Sequence, residues 1–172
     1  MAVNIEVKAR VKDSAKLRSL LAEITDQPCE EILQEDIFFY TPKGRLKLRV
    51  LGPDRGEFIY YERNNVAGPK LSKYLISPSS DPGSLRSLLA TALSVRGTVR
   101  KQRLLYKIGN TRIHLDMVDD LGCFVELEVV LGKNQTPEQG RAVADDIMQK
   151  LAIQPSDLIK EAYIDLLERL AT

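Results

Sequence analysis

The tightest constraint on the fold is a period-two alternation that recurs along most of the chain. Val3, Ile5, Val7, Ala9 and Val11 alternate with Asn4, Glu6, Lys8 and Arg10. Successive side chains of a strand point to opposite faces, so this segment carries one apolar and one polar face. The same split sets Leu46, Leu48 and Val50 against Arg45, Lys47 and Arg49, and Ile113, Leu115 and Met117 against Arg112, His114 and Asp116. It returns where Val125, Leu127 and Val129 alternate with Glu126 and Glu128. Turn signals at Thr41 to Gly44, Gly52 to Gly56, Asn64 to Pro69, Gly109 to Asn110 and Asp119 to Gly122 cut residues 3 to 131 into about eight strands.

Four segments have helical period instead. Leu17, Leu20, Leu21 and Ile24 follow Asp13 and Ser14, and Leu85, Leu88, Leu89 and Ala92 repeat that spacing behind Asp81 and Pro82. Thr136, Pro137 and Gln139 form a capping-box pattern ahead of Val143, Ala144, Ile147, Met148 and Leu151. A fourth helix carries Ile159, Ala162, Tyr163, Leu166 and Leu170 on one face, so the C-terminal helices occupy about 136–170. The hexapeptide Leu-Arg-Ser-Leu-Leu-Ala occurs at 17–22 and again at 85–90. Each copy follows one strand and precedes three, which predicts an internal β-α-β-β-β duplication within a single α+β domain spanning 1–172.

Composition narrows the function classes. With 25 Lys and Arg against 24 Asp and Glu, the net charge of +1 excludes a globally basic nucleic-acid coat, and no nucleic-acid partner is expected. A chain of 172 residues buries roughly 70% of its unfolded surface, enough to fold without a structural metal or disulfide. Apolar runs such as Ile37 to Tyr40 stop at four residues, far short of the ~20 of a membrane helix. No secretory leader pattern follows Met1, so a cytoplasmic protein is expected. Cys29 and Cys123 lack metal-ligand spacing and read as free buried thiols.

The charges on the strand faces are segregated. Arg96 to Leu115 carries six bases and no acid, while Asp116 to Glu128 carries five acids and no base. A plain solvated sheet face would serve with mixed charge. Eight strands can instead close a barrel whose polar faces share a lumen. Both readings are open at this point, and the lumen reading has a definite chemistry. Lys8, Arg10, Lys47, Arg49, Lys101 and Arg103 would bind phosphate oxygens. Glu126 and Glu128, with one or both of Glu6 and Asp116, would hold Mg²⁺ or Mn²⁺, which takes one or two carboxylates plus phosphate oxygens and waters. No Gly-x-Ser-x-Gly, P-loop or Gly-x-Gly-x-x-Gly is present, and His114 has no evident paired nucleophile.

Asn4-Ile5-Glu6-Val7-Lys8-Ala9-Arg10 resembles the Glu-x-Glu-x-Lys opening strand of the CYTH family, which includes class IV adenylate cyclases, thiamine triphosphatases, and inorganic and RNA triphosphatases. Gln34-Glu35-Asp36-Ile37-Phe38-Phe39, Leu46-Lys47-Leu48-Arg49, Lys101-Gln102-Arg103, Glu126-Leu127-Glu128 and Ala162-Tyr163-Ile164-Asp165-Leu166-Leu167 match in the same order. The resemblance implies an antiparallel eight-stranded triphosphate tunnel with flanking helices, dependent on Mg²⁺ or Mn²⁺ and often homodimeric. It implies metal-binding roles for Glu6, Asp116, Glu126 and Glu128, and phosphate-binding roles for Lys8, Lys47, Arg49, Lys101 and Arg103, with Arg10 as their neighbour. Asn4 departs from the motif's first Glu and removes one charge.

The first two strands look most like bacterial proteins called class IV adenylate cyclases, implying conversion of ATP to cyclic AMP and pyrophosphate. Hydrolysis of an inorganic or organic triphosphate, or binding without catalysis, are the alternatives. Matching Phe58 to Phe124 through the duplication turns Tyr60 and Glu62 inward, whereas a basic lining would want Arg63. Phe39, Tyr40, Tyr60 and Tyr61 could stack on a purine, although packing on the strands is the plainer use.

Overall fold

The computed structural model describes residues 1–25 and 27–172. In chain order the elements are β1 (Ala2–Arg10), α1 (Ser14–Ile24), β2 (Glu30–Phe39), β3 (Arg45–Gly52), β4 (Arg55–Arg63), β5 (Lys70–Ser79), α2 (Pro82–Ala92), β6 (Val95–Ile108), β7 (Thr111–Val118), β8 (Gly122–Val130), α3 (Pro137–Lys150) and α4 (Tyr163–Ala171). The strands close into an antiparallel barrel in the order β1-β5-β4-β3-β2-β6-β7-β8. Closure gives every strand a neighbour on each side, although β1 meets β5 only over Ala2–Glu6 and β2 meets β3 only over Glu35–Phe39.

The two β-α-β-β-β units follow one another as expected, and the ring order relates them. Exchanging β1 with β5, β2 with β6, β3 with β7 and β4 with β8 returns the same ring read in the opposite direction. That is the arrangement produced by a two-fold axis perpendicular to the barrel. The helix starts repeat as well: Asp13 accepts the backbone N–H of Lys16 at 2.9 Å, and Asp81 that of Ser84 at 3.0 Å.

The apolar strand faces point outward, so the main core lies between barrel and helices. Ile5, Val7, Ile113 and Leu127 pack beneath Leu17 and Leu21 of α1 and Ala144 and Ile147 of α3. On the other side Ile37, Phe39 and Leu48 pack beneath Leu89 of α2. Each such Leu or Ile, fully buried, contributes roughly 1.5–3 kcal/mol. Gly140 lets α3 approach closely, because a Cβ there would stand 2.5 Å from Leu131 and 2.8 Å from Ile5.

The fourth helix starts later than the expected span from Ile159. Pro155–Asp157 is a 3₁₀ turn, and α4 begins only at Tyr163. Ile159 is not helical, because its N–H donates to the carbonyl of Lys8 at 2.9 Å, which lays the segment along the end of β1. Ala162, Tyr163 and Ile164 then enter a second apolar cluster with Phe38, Val99, Val118 and Phe124. These strand residues share the inward parity, so the start of α4 stoppers one end of the barrel. Among the described residues, no helix is long and apolar enough to cross a membrane. Cys29 and Cys123 are unpaired and half-buried.

Candidate functional site

The inward faces enclose a cavity of about 300 Å³. Glu6, Lys8, Lys47, Arg49, Lys101, Arg103, Glu126 and Glu128 all line it. Exposure falls along its length, from Arg112 and Arg55 at the mouth to Lys8, Lys101 and Arg103 at the depth of Tyr163. Two expected positions lie elsewhere. Arg10 keeps the inward parity of β1, opposite Phe124 of β8, but the stopper built on α4 ends the cavity before it. Its guanidinium is exposed, stacks 4.8 Å from the Phe124 ring and donates to the Leu121 carbonyl. Asp116 is fully buried behind the cavity wall. Its Oδ1 accepts Arg103 Nε at 2.7 Å, and its Oδ2 accepts Arg103 Nη2, Lys101 Nζ and the Tyr163 hydroxyl. It therefore positions two bases, and it is not one of the groups that converge where a cation could sit.

The parity of β4 decides between the two alternatives left open for that strand. Glu57, Ile59, Tyr61 and Arg63 face the cavity, while Tyr60 and Glu62 point outward and share a hydrogen bond of 2.6 Å. The helices and the first strands of the two units are related by an even shift: Glu6 and Tyr74, for instance, both face in. Beyond the helices the inward residues are related by an odd one, as Asp36 and Arg103 show. Pairing Phe58 with Phe124 assumed an even shift throughout. Of the four candidate stacking aromatics only Tyr61 lines the cavity; Phe39 is buried beneath α2 and Tyr40 is exposed.

Two basic pairs flank β2. Lys47 and Arg49 stand on β3, and Lys101 and Arg103 on β6. Each pair is gathered by one buried carboxylate. Asp36 takes Lys47 at 2.6 Å and Arg49 at 3.0 Å, with Gln34 donating at 3.2 Å; Asp116 does the same for Lys101 and Arg103. Burial pushes the Asp36 carboxyl up, but Arg49 and Lys47 outweigh it and hold it well below the usual carboxylate range. Burial pushes Lys47 down to about 8 despite Asp36. Asp36 was visible only as part of a motif; its even position, shared with Gln34 and Phe38, is the signal that turns it inward.

The opposite wall carries the acids. Glu126 and Glu128 face Lys8 and Glu6 across the β1–β8 ladder and His114 and Arg112 across β7–β8. Lys8 reaches Glu126 at 3.0 Å, and its ammonium lies 3.5 Å from the Tyr163 ring centroid. Burial would raise the Glu126 carboxyl, yet Lys8, Lys101 and Arg103 keep it ionised, well below its ordinary value. Burial and Arg103 lower the His114 imidazole and favour its neutral form. Glu6 is held by Arg63 at 2.8 Å. One oxygen each of Glu126 and Glu128, with a nitrogen of His114, lie within 4.8 Å of one another. Two ionised carboxylates and a buried imidazole fit a divalent cation. His114, Arg63 and Tyr163 were not among the expected site residues; His114 shares the parity of Asp116 on β7, and Arg63 was one of the two alternatives on β4.

A closed barrel with outward apolar faces and a charged, stoppered lumen defines a tunnel protein. The chain belongs to the CYTH family, whose domain description it matches over residues 2–163. A protein of Methanocaldococcus jannaschii named as a proposed adenylate cyclase is 23% identical over 95% of this chain and 98% of its own length. A solved Pyrococcus horikoshii protein superposes with a TM-score of 0.82 at 25% identity, covering 95% of this chain and 98% of that one. A Hippeastrum protein, described as a proposed adenylyl cyclase with a dominant triphosphatase activity, superposes with a TM-score of 0.67 at 15% identity, covering 100% of this chain and 97% of that one.

Proposed function

We propose that this protein is a metal-dependent adenylate cyclase that converts ATP to cyclic AMP and pyrophosphate. The observation that carries the triphosphate reading is the pairing of Lys47 and Arg49 with Lys101 and Arg103 on the two sides of β2, facing Glu126 and Glu128 in one cavity. These bases bind the phosphate chain through charge-assisted hydrogen bonds, each worth roughly 1.5–3 kcal/mol. Glu126 and Glu128 hold Mg²⁺ or Mn²⁺, with Glu6 beside them on β1; when bound, the ion supplies Lewis-acid charge stabilisation at the phosphates.

In the cyclisation the ribose 3′-oxygen attacks the α-phosphorus, its proton is released, and the bond to the β-phosphate oxygen breaks. Negative charge grows on the departing pyrophosphate, where Lys and Arg stabilise it most. Tyr163 holds its proton, because burial and Asp116 raise its hydroxyl well above the ordinary value, so it acts as a donor that fixes Asp116. The Hippeastrum neighbour supports a second reading, hydrolysis of a triphosphate in the same tunnel. Phosphorus NMR of the protein with ATP and Mn²⁺ separates them. Cyclic AMP with pyrophosphate is the expected outcome. Orthophosphate with ADP, or orthophosphate from tripolyphosphate, would replace the cyclase by the hydrolase, and no turnover would leave a binding module.

A further inference from the structure

The chain's single histidine stands in the middle of β7, opposite Glu126. His114 is 4% exposed, and its Nδ1 is buried without a hydrogen-bond partner. That nitrogen lies 3.9 Å from Glu126 Oε2 and 3.9 Å from Glu128 Oε1, beyond hydrogen-bond range. The remaining oxygens are engaged, Glu126 Oε1 by Lys8 and Glu128 Oε2 by Arg112, and Glu126 Oε2 itself accepts Arg103 Nη2 at 2.8 Å on one of its lone pairs. Three atoms thus converge on one point of the cavity wall. With the imidazole proton on Nε2, all three are acceptors. A divalent cation placed among the three atoms would take a lone pair from each, with Arg103 Nη2 on the second lone pair of Glu126 Oε2.

We propose that His114 is a nitrogen ligand to the divalent cation held by Glu126 and Glu128, giving the site a mixed nitrogen and oxygen donor set that favours Mn²⁺ and Co²⁺ over Mg²⁺. The inference rests on the metal reading of the two glutamates given above. Mg²⁺ prefers an all-oxygen shell and keeps its waters. Imidazole suits the transition metals, and affinity at nitrogen-containing sites rises from Mn²⁺ through Co²⁺. The proposal concerns the choice of metal, which the two carboxylates alone would leave to availability.

Pulsed electron paramagnetic resonance of the Mn²⁺-loaded protein tests it without a variant. Modulation from a directly coupled ¹⁴N nucleus is expected in the wild type and absent in His114→Gln. In titration calorimetry the ratio of Co²⁺ to Mg²⁺ affinity should fall at least about tenfold in His114→Gln. Bound Mn²⁺ without nitrogen modulation, in a wild type whose affinity drops in Glu128→Gln, would overturn the histidine ligand and leave the glutamate site standing. Mn²⁺ that does not bind, or binds equally well to Glu126→Gln and Glu128→Gln, would overturn both.

Discussion

Lys47 is the residue at which binding and protonation meet. Its ammonium is buried 2.6 Å from Asp36 and titrates at about 8, so near pH 8 about half of the molecules carry it neutral. A phosphate chain drawn beside it raises that value and draws a proton in. Triphosphate binding at pH 8 should therefore take up part of a proton, visible as a dependence of binding heat on buffer ionisation heat, and affinity should fall as pH rises through 8. Lys47→Met should reduce the uptake; undiminished uptake would assign it elsewhere. Asp36 works with the opposite sign. Its carboxyl is depressed in the folded protein, so the stability it contributes is fully present above its unfolded value of about 3.9 and is lost as pH falls through the lower folded value. The stability gap between wild type and Asp36→Asn should be constant from about pH 5 to 7 and shrink below about pH 4 in urea titrations. A gap that narrows near neutrality would point to another group.

Among the elements, α4 does what neither its length nor its composition announces. It has nine residues, yet Asp165 accepts Arg45 at 2.9 Å and Arg96 at 2.7 Å, and Glu168 accepts Arg96 at 2.7 Å, tying its outer face to the barrel rim. Its first residue places a hydroxyl 3.0 Å from Asp116 and a ring beneath Lys8. Tyr163→Phe keeps the ring and removes the hydrogen bond. It should cost about 1 kcal/mol in chemical denaturation and weaken triphosphate binding only mildly; loss of binding with stability intact would give the hydroxyl a direct role. Strand alternation made the wall and most of its charges legible, because parity alone puts Glu6, Lys8, Lys47, Arg49, Glu126 and Glu128 on one face. Parity carries no depth, however. Arg10 shares the inward face and still falls beyond the stopper, and Asp116 shares it and is covered by Arg103. The stopper itself depends on Ile159 pairing with Lys8, a contact between distant parts of the chain that no local pattern encodes.

At the scale of the whole molecule, the barrel is a container with a charge balance. Eight Lys and Arg and six Asp and Glu line the cavity, a surplus of two positive charges inside a chain whose net charge is +1. The low-dielectric wall makes that surplus count for more than the same charges on an open surface. Near neutral pH a triphosphate carries about four negative charges and would overfill it. One divalent cation removes the excess, so the metal-loaded triphosphate, and not the free one, matches the lumen. Binding of tripolyphosphate should then be at least about tenfold weaker in chelator than with Mn²⁺. The chelated complex, retaining uncompensated charge that reaches the exposed mouth, should also lose more affinity between low and high salt. Titration calorimetry in the four combinations of metal and salt measures both effects. Equal affinity with and without metal would mean that the lining bases alone balance the phosphate chain, and that some of the inward carboxylates are protonated or displaced when it enters.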